Sequence, residues 1–131
     1  MFLGSIFVAH RTDWGIVTLT EQRIQIHANR FRVPDLAIIR AGTPRERILT
    51  HPPLLVIEIQ SPEDTLRRLS VKVAEYLEFG IENVWVIDPY ARVAYRGTPK
   101  GLELVGGSEL SVPGTPIRVS AQELFAELDR V

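Results

Sequence analysis

The stretch Pro53–Ile59 reads PLLVIEI, apolar almost throughout until Glu58. A strand with one face in water alternates apolar and polar residues. An unbroken apolar run belongs instead to a buried central strand covered on both faces. A second run, Asn83–Asp88 (NVWVID), reads the same way. The residues between them carry helix signals. Ser61 can cap, Pro62 suits the first helical position, and Glu63 and Asp64 complement the helix dipole. Leu66, Leu69, Val73, Tyr76 and Leu77 then form an apolar stripe, and Gly80 stops the helix.

Other segments follow the same periodicities. Phe2, Leu3, Ile6, Phe7 and His10 recur at helical spacing, which predicts an amphipathic helix over 2–12 ended by Gly15. Its apolar face begins at residue 2, ahead of any cap, so we expect a longer ancestral domain that has lost its front. Residues 16–28 alternate and predict one long strand, or a hairpin broken near Glu21-Gln22. Val33 to Ile39 is a short strand-like run around Asp35, and Thr43 to Arg47 a connection. Pro89-Tyr90 turns the chain, and Val93 to Arg96 returns. Leu102–Val105 and Glu109–Val112 flank Gly106-Gly107 as a hairpin, and Ser120 caps a last helix with Leu124, Phe125 and Leu128 on one face. The order gives a single mixed α/β domain over 1–131.

Bulk properties narrow the functional classes. The chain's 131 residues suit one domain, and a 45% hydrophobic fraction supplies a core without disulfides, which the absence of cysteine precludes. The apolar N-terminus is too short to span a membrane and lacks a signal peptide's basic start, so a soluble cytoplasmic protein is expected. A net charge of −1 gives no bulk sign of nucleic-acid binding. Arg30, Arg32, Arg40, Arg45 and Arg47 do crowd within 18 positions, as either a phosphate-facing surface or a solvated face.

Two carboxylates stand out. Asp35 lies in a strand-like run, and Glu58 sits one residue from the end of a buried strand, before a helix start. A carboxylate among apolar residues carries a desolvation cost unless something compensates it. A divalent cation would compensate two at once, since hard cations take oxygen ligands. Pairing of each acid with an arginine or a helix N-terminus is the structural alternative. His10, His27 and His51 lack metal-type spacing, Asp88-Pro89 reads as a structural turn, and Trp14 and Trp85 read as core or rim residues.

The segments RFRVPDLAIIR, PPLLVIEIQSPEDT and KVAEYLEFGIENVWVIDP, spanning about 30–89, resemble the bacterial restriction-endonuclease family known as domain of unknown function 820, within the PD-(D/E)XK nuclease superfamily. Weaker likeness extends from Asp13-Trp14-Gly15 and TEQRIQI to the C-terminus. The resemblance implies a restriction-endonuclease-like α/β fold, a central mixed β-sheet flanked by helices. It implies that Asp35 takes the PD position and Glu58 the first position of the (D/E)XK signature, with Mg²⁺ (or Mn²⁺) between them, DNA as substrate and a homodimer as the assembly. The activity implied is metal-dependent endonucleolytic hydrolysis. The alternative is a catalytically inactive relative that binds nucleic acid or dimerises.

The chain departs from the signature at Gln60, which stands at the lysine position and can neither act as a base nor carry charge. The resemblance also implies a further N-terminal segment that often brings another acid to the site, so either the true start lies upstream of Met1 or the chain is expected to be a truncated relative. Two residues after Glu58 on a strand, Gln60 faces the same way. Lys72 is the cation expected to replace the missing lysine. It matches a lysine recurring in the family, and Asp64, Arg68, Lys72 and Tyr76, each four apart, form one row along the helix.

Overall fold

The computed structural model describes residues 2–105 and 109–129. In chain order the elements are α1 (Phe2–Ala9), β1 (Ile16–Leu19), β2 (Arg23–His27), β3 (Arg30–Arg32), β4 (Leu36–Arg40), β5 (Ile48–Leu49), β6 (Leu55–Ile59), α2 (Leu66–Phe79), β7 (Val84–Asp88), β8 (Val93–Thr98), β9 (Gly101–Leu104), β10 (Glu109–Ser111), β11 (Arg118–Ser120) and α3 (Ala121–Leu128). The two apolar runs become β6 and β7, parallel neighbours at the centre of a six-stranded sheet ordered β1-β4-β6-β7-β8-β9. The other pairings in this sheet are antiparallel. Parallel neighbours need a crossover, and α2 provides it.

Strand alternation sorts the core into two layers. Leu36 and Ile38 of β4, Leu55 and Ile57 of β6, and Trp85 and Ile87 of β7 pack with Ile6, Phe7, Leu124 and Phe125 from α1 and α3. The intervening Ala37, Ile39, Val56, Val84 and Val86 pack with Leu69, Val73 and Tyr76 of α2. Both faces of the central strands are therefore covered, which is why they read as unbroken apolar runs. Ile24 and Ile26 of β2 extend the α2 layer from a small sheet ordered β3-β2-β5.

Helix α2 lies close to the sheet for local reasons. Gly80 adopts a left-handed φ of 110°, and the N–H groups of Gly80 and Ile81 donate to the carbonyls of Leu77 and Tyr76, the Schellman pattern that ends a helix cleanly. Gly97 on β8 admits the helix: a Cβ there would overlap Val73 Cγ1 and crowd Val84.

Several sequence expectations need correction. The first helix ends at Ala9, followed by turns through Gly15. Residues 16–28 form neither one strand nor a hairpin: β1 pairs with β4, and β2 pairs with β3 and β5, with Glu21 at a φ of 54° turning the chain between sheets. Asp35 lies just before β4 rather than inside a strand running from Val33, because Pro34 lacks the amide a ladder needs. Ser61 does not cap α2. Its N–H and hydroxyl donate to the Asp64 carboxylate at 2.9 and 3.0 Å, closing a turn that delays the helix until Thr65. The Thr65 hydroxyl oxygen accepts from Arg68 N–H as the cap. The segments beside Gly106-Gly107 do not pair with each other, since β9 pairs with β8 and β10 with β11; the glycines themselves lie outside the described residues. Ser120 caps α3 as expected, within a capping box completed by Glu123. No helix among the described residues is long and apolar enough to cross a membrane.

The Val73–Gly97 contact carries a stability prediction. Gly97→Ala should destabilise the protein by about 1–3 kcal/mol, because Val73 cannot retreat without lifting α2 from the sheet. Urea unfolding measures this, and an unchanged midpoint would show that the helix has slack.

Candidate active site

The antiparallel register of β4 and β6 places Leu36 opposite Ile57. One step further along it, Asp35 stands opposite Glu58. Both share the faces of Ala37 and Val56, so their side chains project toward α2. Asp35 itself precedes β4, and its hydrogen bond from the Ile59 N–H is what ties it to β6 beyond the last strand pair.

Each acid is anchored from a different direction. The backbone N–H of Ile59 donates to Asp35 Oδ2 at 2.6 Å. The Tyr76 hydroxyl, buried under α2, donates to Glu58 Oε2 at 2.6 Å. Glu58 is only 4% exposed and is the one buried charged residue among the described residues. Burial raises its pKa from 4.5 to about 7, and the nearby Asp35 carboxyl pushes the same way, while the Tyr76 hydroxyl and the Lys72 charge oppose the rise. Tyr76 is itself raised well above the usual phenol range by burial and by Glu58, so it remains a donor.

Gln60 continues the β6–β7 ladder, its N–H donating to the Ile87 carbonyl at 2.8 Å. Its side-chain Oε1 is buried and has no hydrogen-bond partner. An unsatisfied buried acceptor costs about 1–3 kcal/mol. The two carboxylates are oxygen donors of the kind that suits a hard divalent cation, and the orphaned amide oxygen lies on the same strand, two residues beyond Glu58. Among the described residues, no cluster of three or more His, Cys, Asp or Glu side chains could hold a metal. A depression of about 450 Å³ beside Asp35 is lined by Thr20, Glu21, Val33 and Pro34.

Lys72 is half-buried, one helical turn before Tyr76, and its charge acts on both Glu58 and Asp64. The structure thus brings Asp35, Glu58 and Lys72 together, with Gln60 on the face of Glu58. Tyr76 is the residue that the sequence analysis placed in the apolar stripe and in the row with Lys72 but gave no part in the site. Its position four residues after Lys72 was the available signal.

Other candidates fall away from this place. His10 stacks on Trp14 with ring centroids 4.1 Å apart and its Nδ1 meets Asp13 at 3.0 Å, while His51 lies against Thr50 and Glu46. Asp88 accepts from the N–H groups of Tyr90 and Ala91, a structural turn. Trp85 is core, and Trp14 packs edge-on against Phe7. The arginine cluster does not form one surface. Arg30 and Arg32 both donate from Nε to Glu75 Oε1 at 2.9 Å, and that pairing, Arg32 foremost, holds the Glu75 carboxyl down at about 2. Arg40 ends β4 about 17 Å along the strand from Asp35.

Comparison with known proteins bears on the family and the fold. The model of a family described as "Uma2: Putative restriction endonuclease" matches residues 2–122. No curated protein matches the chain. Among solved structures, the crystal structure of a protein described as a "putative nuclease belonging to DUF820", from Anabaena variabilis ATCC 29413, superposes with a TM-score of 0.76 at 22% identity, covering 96% of this chain and 76% of that one. The two share a fold, a central mixed sheet with helices on its faces.

The raised Glu58 pKa has a signed consequence. The unfolded chain loses this proton near 4.5 and the folded chain near 7, so the fold binds the extra proton between these values. Stability of the metal-free protein should therefore fall as pH rises from about 4.5 to 7, by at most on the order of 3 kcal/mol, and then level off. Glu58→Gln, which keeps an acceptor for Tyr76, should flatten that slope. Equal slopes for both proteins in pH-dependent unfolding would contradict the assignment.

Proposed function

The chain belongs to the Uma2 family of restriction-endonuclease-like proteins, and on that premise we propose that it is a metal-dependent endonuclease hydrolysing DNA phosphodiester bonds in the cytoplasm. The observation that carries the proposal is the facing pair Asp35 and Glu58, one held by a backbone amide and the other buried. A carboxyl with an ordinary pKa near 4.5 that stays protonated to about 7 lacks a positive partner of adequate strength.

Asp35 and Glu58 would hold Mg²⁺ or Mn²⁺, with the Gln60 amide oxygen as a neutral neighbour. A cation there supplies charge stabilisation at the phosphate and lowers the pKa of a bound water. The protein's own groups divide the remaining work. Tyr76 engages Glu58 Oε2 and Ile59 N–H engages Asp35 Oδ2, so each carboxylate is oriented by a fixed donor, and the two carboxyl groups meet each other. The Gln60 side chain can orient a water but cannot take its proton. Lys72 brings the positive charge that Gln60 lacks, and it offsets the negative charge that accumulates on the phosphate as the attacking water oxygen bonds to phosphorus and the sugar oxygen leaves. A two-fold dimer is the assembly suited to cutting both strands.

The glutamine at the lysine position also favours a second reading, in which the fold binds nucleic acid without turning it over. Plasmid cleavage with Mg²⁺ or Mn²⁺ separates the two. Lys72→Ala should lower cleavage by about 10²–10³-fold while leaving metal affinity by calorimetry nearly intact. Asp35→Asn should abolish metal binding, and wild-type binding below neutral pH should release a proton from Glu58. A Lys72→Ala protein that cleaves like wild type refutes the role given to Lys72. A silent wild type that is rescued by Gln60→Lys establishes the second reading.

A further inference from the structure

A cleft of about 410 Å³ opens beside the first turns of α2, lined by Arg32, Thr65, Arg67, Arg68, Val71 and Lys72. We propose that this cleft holds the phosphate backbone of a nucleic-acid strand and leads it to the Asp35–Glu58 pair; the assignment rests on the nuclease reading above.

The argument starts from helix geometry. At about 100° per residue, Arg67, Val71, Arg68 and Lys72 occupy one arc of about 140°, while Leu69, Tyr76 and Val73 point to the opposite side and into the core. Lys72 lies at the border of the two arcs. It lines the cleft, and its charge also reaches Glu58. Lys72 is thus shared: it lines the cleft and also contributes to the electrostatics of the carboxylate pair.

The charges in the cleft are available. Arg67 and Arg68 are exposed, and neither they nor Lys72 forms a salt bridge among the described residues. Asp64 feels the fields of Lys72 and Arg68, and Glu75 holds Arg32, which leaves the lining positive overall. This local excess stands out on a chain whose net charge is −1. A polyanion fits better than a small anion. The cations are strung along the helix, with Arg68 and Lys72 about 6 Å apart in rise. That is about two phosphate steps of a duplex strand. Val71, 50% exposed between them, offers apolar contact to sugar.

The test is the salt dependence of binding to a fluorescent DNA duplex, read by anisotropy from about 50 to 200 mM salt with Ca²⁺ present. Arg67→Ala/Arg68→Ala should reduce the log–log slope by about 2 and weaken low-salt binding by roughly tenfold or more, because two phosphate contacts are lost. Alanine is favourable in a helix, and unchanged circular dichroism melting will confirm that the fold is intact. Arg45→Ala/Arg47→Ala, on the competing exposed segment, should leave the slope unchanged. If the Arg67/Arg68 variant keeps the wild-type slope, or the Arg45/Arg47 variant loses it instead, the cleft assignment is overturned while the nuclease reading stands. A wild-type chain that neither binds nor cleaves the duplex overturns both.

Discussion

A carboxylate on the covered face of a sheet is the constraint around which this molecule is arranged. Glu58 lies in β6 on a face whose strand neighbours Val56 and Val86 are apolar core residues, and α2 closes over it. Such a group persists only if partners are brought to it. Here they come from both sides: Asp35 across the strand pair and Tyr76 and Lys72 from the helix above. The position of α2 is therefore part of the site's chemistry, since a helix displaced by one turn would withdraw both the hydroxyl and the ammonium group.

Several small features keep the helix in place. The Thr65 cap fixes where it begins, and the Gly80 turn fixes where it ends. The missing side chain at Gly97 lets Val73 seat against β8. Glu75 ties the outer flank to Arg30 and Arg32, just ahead of Asp35 in sequence. That pairing couples the chain segment entering β4 to the same helix that buries Glu58. The two acids thus sit on different strands but take their spacing from shared supports.

What was legible in the sequence depended on which forces were local. The runs PLLVIEI and NVWVID announced buried central strands because burial on both faces leaves no room for polar residues. The Ser120 cap and the Gly80 stop were legible because capping is decided within a few residues. Asp35 and Glu58 stood out as acids in apolar surroundings, and the register then set them face to face. Longer-range choices were hidden. Nothing in the alternation of residues 16–28 says that its two halves join different sheets, because pairing partners lie elsewhere in the chain. Ser61 was a competent cap by residue type, but the Asp64 turn engages it and moves the cap to Thr65. The arginine cluster was close in sequence, but which of its members find an acid was not legible: Arg30 and Arg32 share Glu75 from α2, 45 and 43 positions away.

The β6–α2–β7 crossover has a consequence for how such proteins can diverge. The candidate site draws its side chains from residues 35 to 76, one continuous stretch wound through three strands and a helix. Helices α1 and α3 and strands β8 to β11 cover, brace and extend that stretch without contributing an atom to the carboxylate pair. Selection on the chemistry therefore acts on a compact hereditary unit, whereas the flanking pieces answer mainly to solubility and packing. The ends of the chain could therefore be remodelled without moving Asp35, Glu58 or Tyr76, whereas a substitution within residues 35 to 76 can alter their surroundings directly.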